Sequence, residues 1–174
     1  MFDFLQTIIA FLHKEEISYM LSGSVALSIY TLPRSTRDFD LIVNLKDSDI
    51  EKLAAAFSEG YYCDTDSIKD AIERKGMFNI IDHATGFKAD FIILKDEPFR
   101  QQEFKRKEKA DFLGIPLYVV SAEDLLISKI IWIQDIQSGI QMEDIKQLKS
   151  IEGLDWEYIN KWITYLDLNT FDLL

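Results

Sequence analysis

Cysteine is almost missing from this chain: one residue, Cys63, in 174. A single thiol cannot close an internal disulfide, so a disulfide scaffold is excluded and a reducing cytoplasm is the expected setting. Glycine (7) and proline (3) are scarce as well, while aromatic residues make up 13%. That balance argues against disorder and for a compact fold. Positive charge is in deficit, with 19 Lys and Arg against 30 Asp and Glu and a net charge of -11. A basic nucleic-acid binder is therefore not the default, although a local basic face or a phosphate ligand brought in with metal is still allowed. No apolar run approaches the roughly 20 residues that span a bilayer. The opening Met1-Phe2-Asp3 lacks the basic leader of a signal peptide. What is left is a chain 48% hydrophobic, ample for one well-buried domain and short for two.

The richest stretch is residues 17–45, which reads as strand, tight turn, helix, basic loop, strand. Residues 17–22 form the first strand. Gly23 permits a sharp turn and close backbone approach. Ser24 is placed to cap a helix from Val25 to about Thr31, ended by Pro33. A helix N-terminus with free N–H groups and a hydroxyl suits a phosphate. Arg34, Ser35, Thr36 and Arg37 make a short basic, hydroxylic loop. Asp38-Phe39-Asp40 then opens the second strand. Side chains alternate along a strand, so Asp38, Asp40, Ile42 and Asn44 share one face, while Phe39, Leu41, Val43 and Leu45 face a core. Two carboxylates held side by side repel, and the usual remedy is a divalent cation bound by hard oxygens.

The rest of the chain supplies the frame. Apolar residues at helical spacing predict an amphipathic helix over residues 2–14, with His13 as a cation near its C-terminus. A helix over 47–57 is capped by Asp47 or Ser48. A short strand over 61–63 and a helix over 67–74 follow. Two strands, 78–82 and 87–94, are joined through the turn residues His83-Ala84-Thr85-Gly86. In the second, Lys88, Asp90, Ile92 and Leu94 share a face, and Asp90 interrupts an apolar run. A carboxylate there costs free energy unless it is partnered. A strand-end salt bridge and a third metal ligand both answer that need.

Residues 100–109 carry five Lys or Arg and two Glu. They read as an exposed strand or helix edge, or as a basic rim steering a polyanion. A strand over 114–120 leads to Ser121, which caps a helix with Asp124 three residues on. That helix carries Lys129 among Leu125, Leu126, Trp132 and Ile133. Its ammonium either snorkels to solvent or meets an anion inside a cleft. Helices over 141–150 and from Asp155 onward close the chain, the last with Trp156, Ile159, Trp162, Ile163 and Leu166 as its buried stripe.

Gly23-Ser24, thirteen intervening residues, Asp38-Phe39-Asp40 and then a lone strand acid at Asp90 resemble the nucleotidyltransferase fold of the DNA polymerase β superfamily. The nearest resemblance is to small bacterial nucleotidyltransferases related to AbiEii-type toxins. LSGSVAL with PRSTRDFDLIV is similar to that group's Gly-Ser turn and Arg-x-Thr-x-Asp-x-Asp segment. TGFKADFIIL is similar to its third-carboxylate strand, GIPLYVVSAEDLLISKI to its late strand and Lys-bearing helix, and QMEDIKQL with LDWEYINKW to its C-terminal helical pair.

The resemblance implies an α+β fold, a mixed β-sheet flanked by helices. It implies one domain over 1–174, strand-rich over 1–120 and helical over 121–174. It also implies roles: Asp38, Asp40 and Asp90 as catalytic residues and ligands of two Mg²⁺, with Asp90 helping to deprotonate an acceptor hydroxyl. Gly23, Ser24, Arg37 and Lys129 would bind the nucleotide. The reaction would be in-line attack on the α-phosphorus of an NTP with pyrophosphate leaving, which suits two metals roughly 3.5–4 Å apart.

One departure is Ile140, which precedes Gln141-x-x-Asp144 where relatives often carry a basic residue. The long helical extension of full-length toxins is also missing, so toxicity is not implied. A second reading is a non-catalytic nucleotide-binding module of a two-protein system with a cognate antitoxin-like partner. A third is an enzyme that nucleotidylates small molecules such as antibiotics. The acceptor class, whether RNA, protein or small molecule, stays open at this level.

Overall fold

The computed structural model describes residues 2–33 and 35–174. Met1 and Arg34 lie outside the described residues, and with Arg34 goes that part of the basic-loop expectation. Along the chain the elements are α1 (Phe2–Lys14), β1 (Tyr19–Ser22), α2 (Gly23–Tyr30), β2 (Asp38–Val43), α3 (Ile50–Ala56), β3 (Tyr61–Cys63), α4 (Thr65–Arg74) and β4 (Met77–Asp82). They continue with β5 (Lys88–Ile93), α5 (Pro98–Lys105), β6 (Glu108–Phe112), β7 (Ile115–Val119), α6 (Ala122–Asp135), α7 (Gly139–Lys149) and α8 (Trp156–Tyr165).

The strands form one mixed sheet in the order β3-β4-β5-β2-β1-β7-β6. β2 is central. It runs antiparallel to β1 and parallel to β5. Its alternation of polar and apolar residues decides what each sheet face does. Phe39 and Leu41 turn to one face, where Phe4 of α1 packs 6.0 Å from the Phe39 ring and 5.6 Å from Tyr61. On that side Phe11 also meets Phe57 edge-on at 5.4 Å. α1 buries Phe4, Leu5, Ile8, Ile9 and Leu12. Each such side chain contributes about 1.5–3 kcal/mol of hydrophobic stabilisation. Asp3 in its first turn and His13 and Lys14 in its last complement the helix dipole. The Asp40 side of β2 meets the first turn of α2.

Several boundaries differ from the sequence reading. β1 starts at Tyr19, not residue 17, because the Ile17 N–H bonds the Leu12 carbonyl and finishes the turn after α1. α2 starts at Gly23, so Ser24 sits in its first turn and does not cap it; Ser22 holds the cap position without a side-chain bond. Gly23 takes the left-handed φ of +63°, which lets the chain turn at once out of β1. The third helix opens as a 3-10 turn over Asp47–Asp49, and the Asp49 carboxylate, not Asp47 or Ser48, accepts the Lys46 N–H at 3.0 Å. Asp64 caps α4 and starts it at Thr65. β6 is a charged edge strand that begins within residues 100–109, in line with their exposed-strand reading. Trp156 is exposed and leaves the buried stripe of α8.

The α5–α6–α8 side is held by a buried carboxylate. Asp124 is fully buried. It accepts bonds from Ser121 Oγ (2.8 Å), Arg106 Nε (3.0 Å) and Tyr158 O–H (2.5 Å). The Arg106 guanidinium also lies 4.0 Å over the Tyr158 ring. Removing a buried acid strands its partners. Asp124→Ala is expected to destabilise the fold by about 2–4 kcal/mol and Tyr158→Phe by about 1 kcal/mol, read from urea unfolding midpoints. A loss below about 0.5 kcal/mol for Asp124→Ala contradicts this account.

Candidate active site

Strand pairing lays out a row of polar side chains across the sheet. Ser22 of β1 is the register partner of Asp40, Asp40 of Asp90, and Asp90 of Asn79. Directly paired residues point to the same face, so the four stand side by side. One step along, Asp38 pairs with Lys88. The Asp90 carboxylate accepts a bond from Asn79 Nδ2 and pairs with Lys88 Nζ at 3.0 Å. Lys88 also reaches Asp38 at 3.8 Å. Asp90 is buried, Asp40 half-buried and Asp38 the most open of the three.

The Asp40 carboxyl is held above the ordinary carboxylate range. Burial is the main cause, followed by the neighbouring charges of Asp90 and Asp38; Lys129 and Lys88 pull the other way. Gly23 packs directly onto this acid. A Cβ at position 23 would sit 1.9 Å from Asp40 Oδ2 and 2.9 Å from its Cβ. The α2 N-terminal turn and the acid row are therefore one unit.

Beside them lies a cleft of about 280 Å³. Ser22, Gly23, Ser24 and Asp40 line one end, and Ile42, Ile92 and Leu94 line its floor. Arg100, Glu103, Ser128, Lys129, Trp132 and Gln141 line the wall. Lys129 does not snorkel. It is 5% exposed, with its ammonium donating to Asp144 Oδ2 at 2.8 Å and to Gln141 Oε1 at 2.9 Å. Gly23, Ser24, Asp40 and Lys129 thus meet at one cleft. Asp38 and Asp90 belong to the same acid row but not to the cleft lining. Arg37 is exposed and also outside the lining; its carbonyl accepts the Lys88 N–H.

Sequence reasoning missed part of the wall. Glu103 reads as one acid in a basic run, yet it is fully buried and bonded to Arg100 Nη1 (3.0 Å) and Ser128 Oγ (2.5 Å). Its carboxyl is raised by burial, against the pull of Arg100. The available signal was the i,i+3 spacing of Arg100 and Glu103 with Phe99 and Phe104 beside them.

Among the described residues, no group of three or more His, Cys, Asp or Glu side chains converges closely enough, as placed, to hold a metal ion. Asn79 and Lys88 engage Asp90, and Lys88 reaches Asp38 as well. The donor chemistry still fits a hard divalent cation: crowded carboxylate oxygens, with a lysine ammonium standing in as the cation between Asp38 and Asp90.

A protein-family model described as "Nucleotidyltransferase of unknown function (DUF6036)" matches residues 2–171. No curated protein matches in sequence. Among solved structures, the chain is similar to the antibiotic-resistance factor ANT(2'')-Ia in solution, at 13% identity over 94% of this chain and 89% of that one, with a TM-score of 0.60. The crystal structure of ANT(2'')-Ia with adenylyl-2''-tobramycin gives 12% identity, 95% coverage of each chain and a TM-score of 0.59. A Thermotoga maritima protein described as a nucleotidyltransferase gives 14% identity over 94% of this chain and 92% of that one, with a TM-score of 0.54. At these identities the shared property is the fold.

Two substitutions test the coupling of turn and acid row. A carboxyl whose folded pKa is raised above its unfolded value binds protons more readily in the folded state. Stability therefore falls as pH rises from the unfolded value through the raised one, and the cost is fully present above it. Asp40→Asn removes that cost and is expected to raise the melting temperature above this window by about 2–4 °C, with no gain below it, followed by calorimetry against pH. A melting temperature lowered above this window and unchanged below it would show that Lys129 and Lys88 outweigh the burial cost and the repulsion. Gly23→Ala is expected to destabilise by about 2 kcal/mol or more in chemical denaturation, through the left-handed φ and the clash with Asp40. An unchanged midpoint contradicts the close approach.

Proposed function

The chain belongs to this nucleotidyltransferase family, and we propose that it transfers a nucleoside monophosphate from an NTP to an acceptor hydroxyl at the acid row, releasing pyrophosphate. The observation that carries this reading is the convergence of the α2 N-terminal turn, Asp40 and Lys129 on one cleft, with Asp90 and Asp38 alongside in the same row.

In this reading Gly23 and Ser24 present backbone N–H groups and a hydroxyl to the NTP phosphates. Lys129, held by Asp144 and Gln141, adds positive charge at a fixed point on the wall. Asp90 accepts the acceptor's hydroxyl proton, and Asn79 holds its carboxylate in place. The acceptor oxygen then bonds to the α-phosphorus, and the bond from that phosphorus to the β-phosphate oxygen breaks. Asp38, Asp40 and Asp90 would hold Mg²⁺, which supplies positive charge against the attacking and leaving oxygens when bound. Positioning and electrostatics of this kind carry most of the rate in phosphoryl transfer.

The acceptor side is more open than the nucleotide side. Asp38 is half-exposed and Arg37 exposed, and neither lines the cleft. An acceptor hydroxyl reaching Asp90 from there belongs to RNA, a protein or a small molecule. The AbiEii-type likeness, with a cognate antitoxin-like partner and a cytoplasmic setting, forms the finer part of the same proposal. Among the described residues no helix is long and apolar enough to cross a membrane.

The test is incubation with each labelled NTP, Mg²⁺ and fractionated cell extract, followed by sorting of label into RNA, protein and small-molecule pools. Asp38→Ala and Asp90→Ala are each expected to lower transfer at least roughly 100-fold, and chelation of Mg²⁺ to stop it. Transfer at the wild-type level by either variant would falsify the assignment.

A further inference from the structure

Trp132 has no structural explanation of the usual kind. It is 46% exposed, while its α6 neighbours Ile130 and Ile133 are fully buried and do the packing. Trp162 on α8, by contrast, sits 5.3 Å from Phe99 and 5.2 Å from Tyr165. Among the described residues the Trp132 indole stacks on no other ring and donates no hydrogen bond. It nonetheless lines the same cleft as Gly23, Ser24 and Lys129.

Its position on the helix matters. Trp132 follows Lys129 by three residues, so the two share one helix face. A rise of 1.5 Å per residue sets them about 4.5 Å apart along the axis, before the reach of the side chains. The cleft lining therefore mixes two kinds of group: the N–H groups and hydroxyl of the α2 turn with the Lys129 ammonium, and the Trp132 indole with the aliphatic Ile42, Ile92 and Leu94. A ligand that matches both carries an anionic part and a planar, apolar part. At about 280 Å³, the cleft lies at the small end for ligand sites.

We propose that Trp132 is the nucleobase platform of this cleft, taking the base between its indole and the Ile92–Leu94 floor. The proposal rests on the nucleotidyltransferase reading of the site. Stacking on an indole tolerates any base, because every base has a π-face, and it favours purines through their larger area. Arg100, which also lines the wall, is already held by Glu103 and Ser128, so the platform supplies affinity more than base-edge readout.

The experiment measures binding without turnover, by calorimetry on the full chain with a non-hydrolysable ATP analogue, the matching CTP analogue and inorganic tripolyphosphate. Trp132→Ala is expected to weaken the ATP analogue roughly 5- to 50-fold and the CTP analogue less, with tripolyphosphate unchanged within about twofold. Trp132→Phe is expected to keep most of the affinity. Wild-type tryptophan fluorescence should be quenched by the ATP analogue, and the quenching lost in Trp132→Phe although Trp156 and Trp162 remain. Equal affinity of wild type and Trp132→Ala for the ATP analogue overturns the platform alone. An equal loss for tripolyphosphate also overturns it, because that pattern marks a structural role. A wild type that binds neither nucleotide nor tripolyphosphate removes the parent reading as well.

Discussion

Two strand pairings force carboxylates together in this protein. β2 lies between β1 and β5 in a register that sets Asp40 beside both Ser22 and Asp90, with Asp38 one step along. A slip of one residue would turn the acids into the core, where Phe39 and Leu41 now sit, so the hydrophobic face of the sheet fixes the acid face. Burial and charge repulsion raise the Asp40 carboxyl, and two lysines from different elements offset part of that cost. Lys88 lies within the row and Lys129 in the lining of the cleft. A fold that keeps such an arrangement gives up stability at a place where it gains an electrostatic site.

The wall is the second half of the arrangement, and polar groups buried in the helical layer hold it in place. Asp124 ties α6 to Arg106 and to α8. Glu103 ties α5 to α6 through Arg100 and Ser128. Asp144 ties α7 to Lys129. Buried ion pairs add little net stability over apolar packing, but losing one partner is costly. Their value here is geometric: they fix α6, and α6 carries Lys129 and Trp132 into the cleft.

Much of this was legible in the sequence because it depends on local rules. Strand alternation placed Asp38 and Asp40 on one face, and the Gly23 turn and the Ser121 cap follow from backbone chemistry. The apolar neighbours of Lys129 marked it as unusual but left open where its charge went; the partner, Asp144, lies on the next helix. Glu103 was hidden because residues 100–109 have the composition of a solvated surface, and only tertiary packing buries one acid among them. Trp132 matched the helical pattern of a core residue, and nothing local says that α6 turns it toward a cleft. The engagement of Asp90 by Asn79 and Lys88 depends on pairing between strands, which spacing along one strand cannot show.

The central claim is that the row of Asp38, Asp40 and Asp90 is a cation site facing a nucleotide held at Gly23 and Ser24. Anomalous diffraction from crystals grown with Mn²⁺ and a non-hydrolysable NTP analogue tests it most directly. The account predicts metal density in contact with Asp38 and Asp40, phosphates at the α2 N-terminus, and the Lys88 ammonium drawn away from Asp38 and Asp90. Nucleotide bound in the cleft with no metal at the row and Lys88 still bridging the two acids would contradict it.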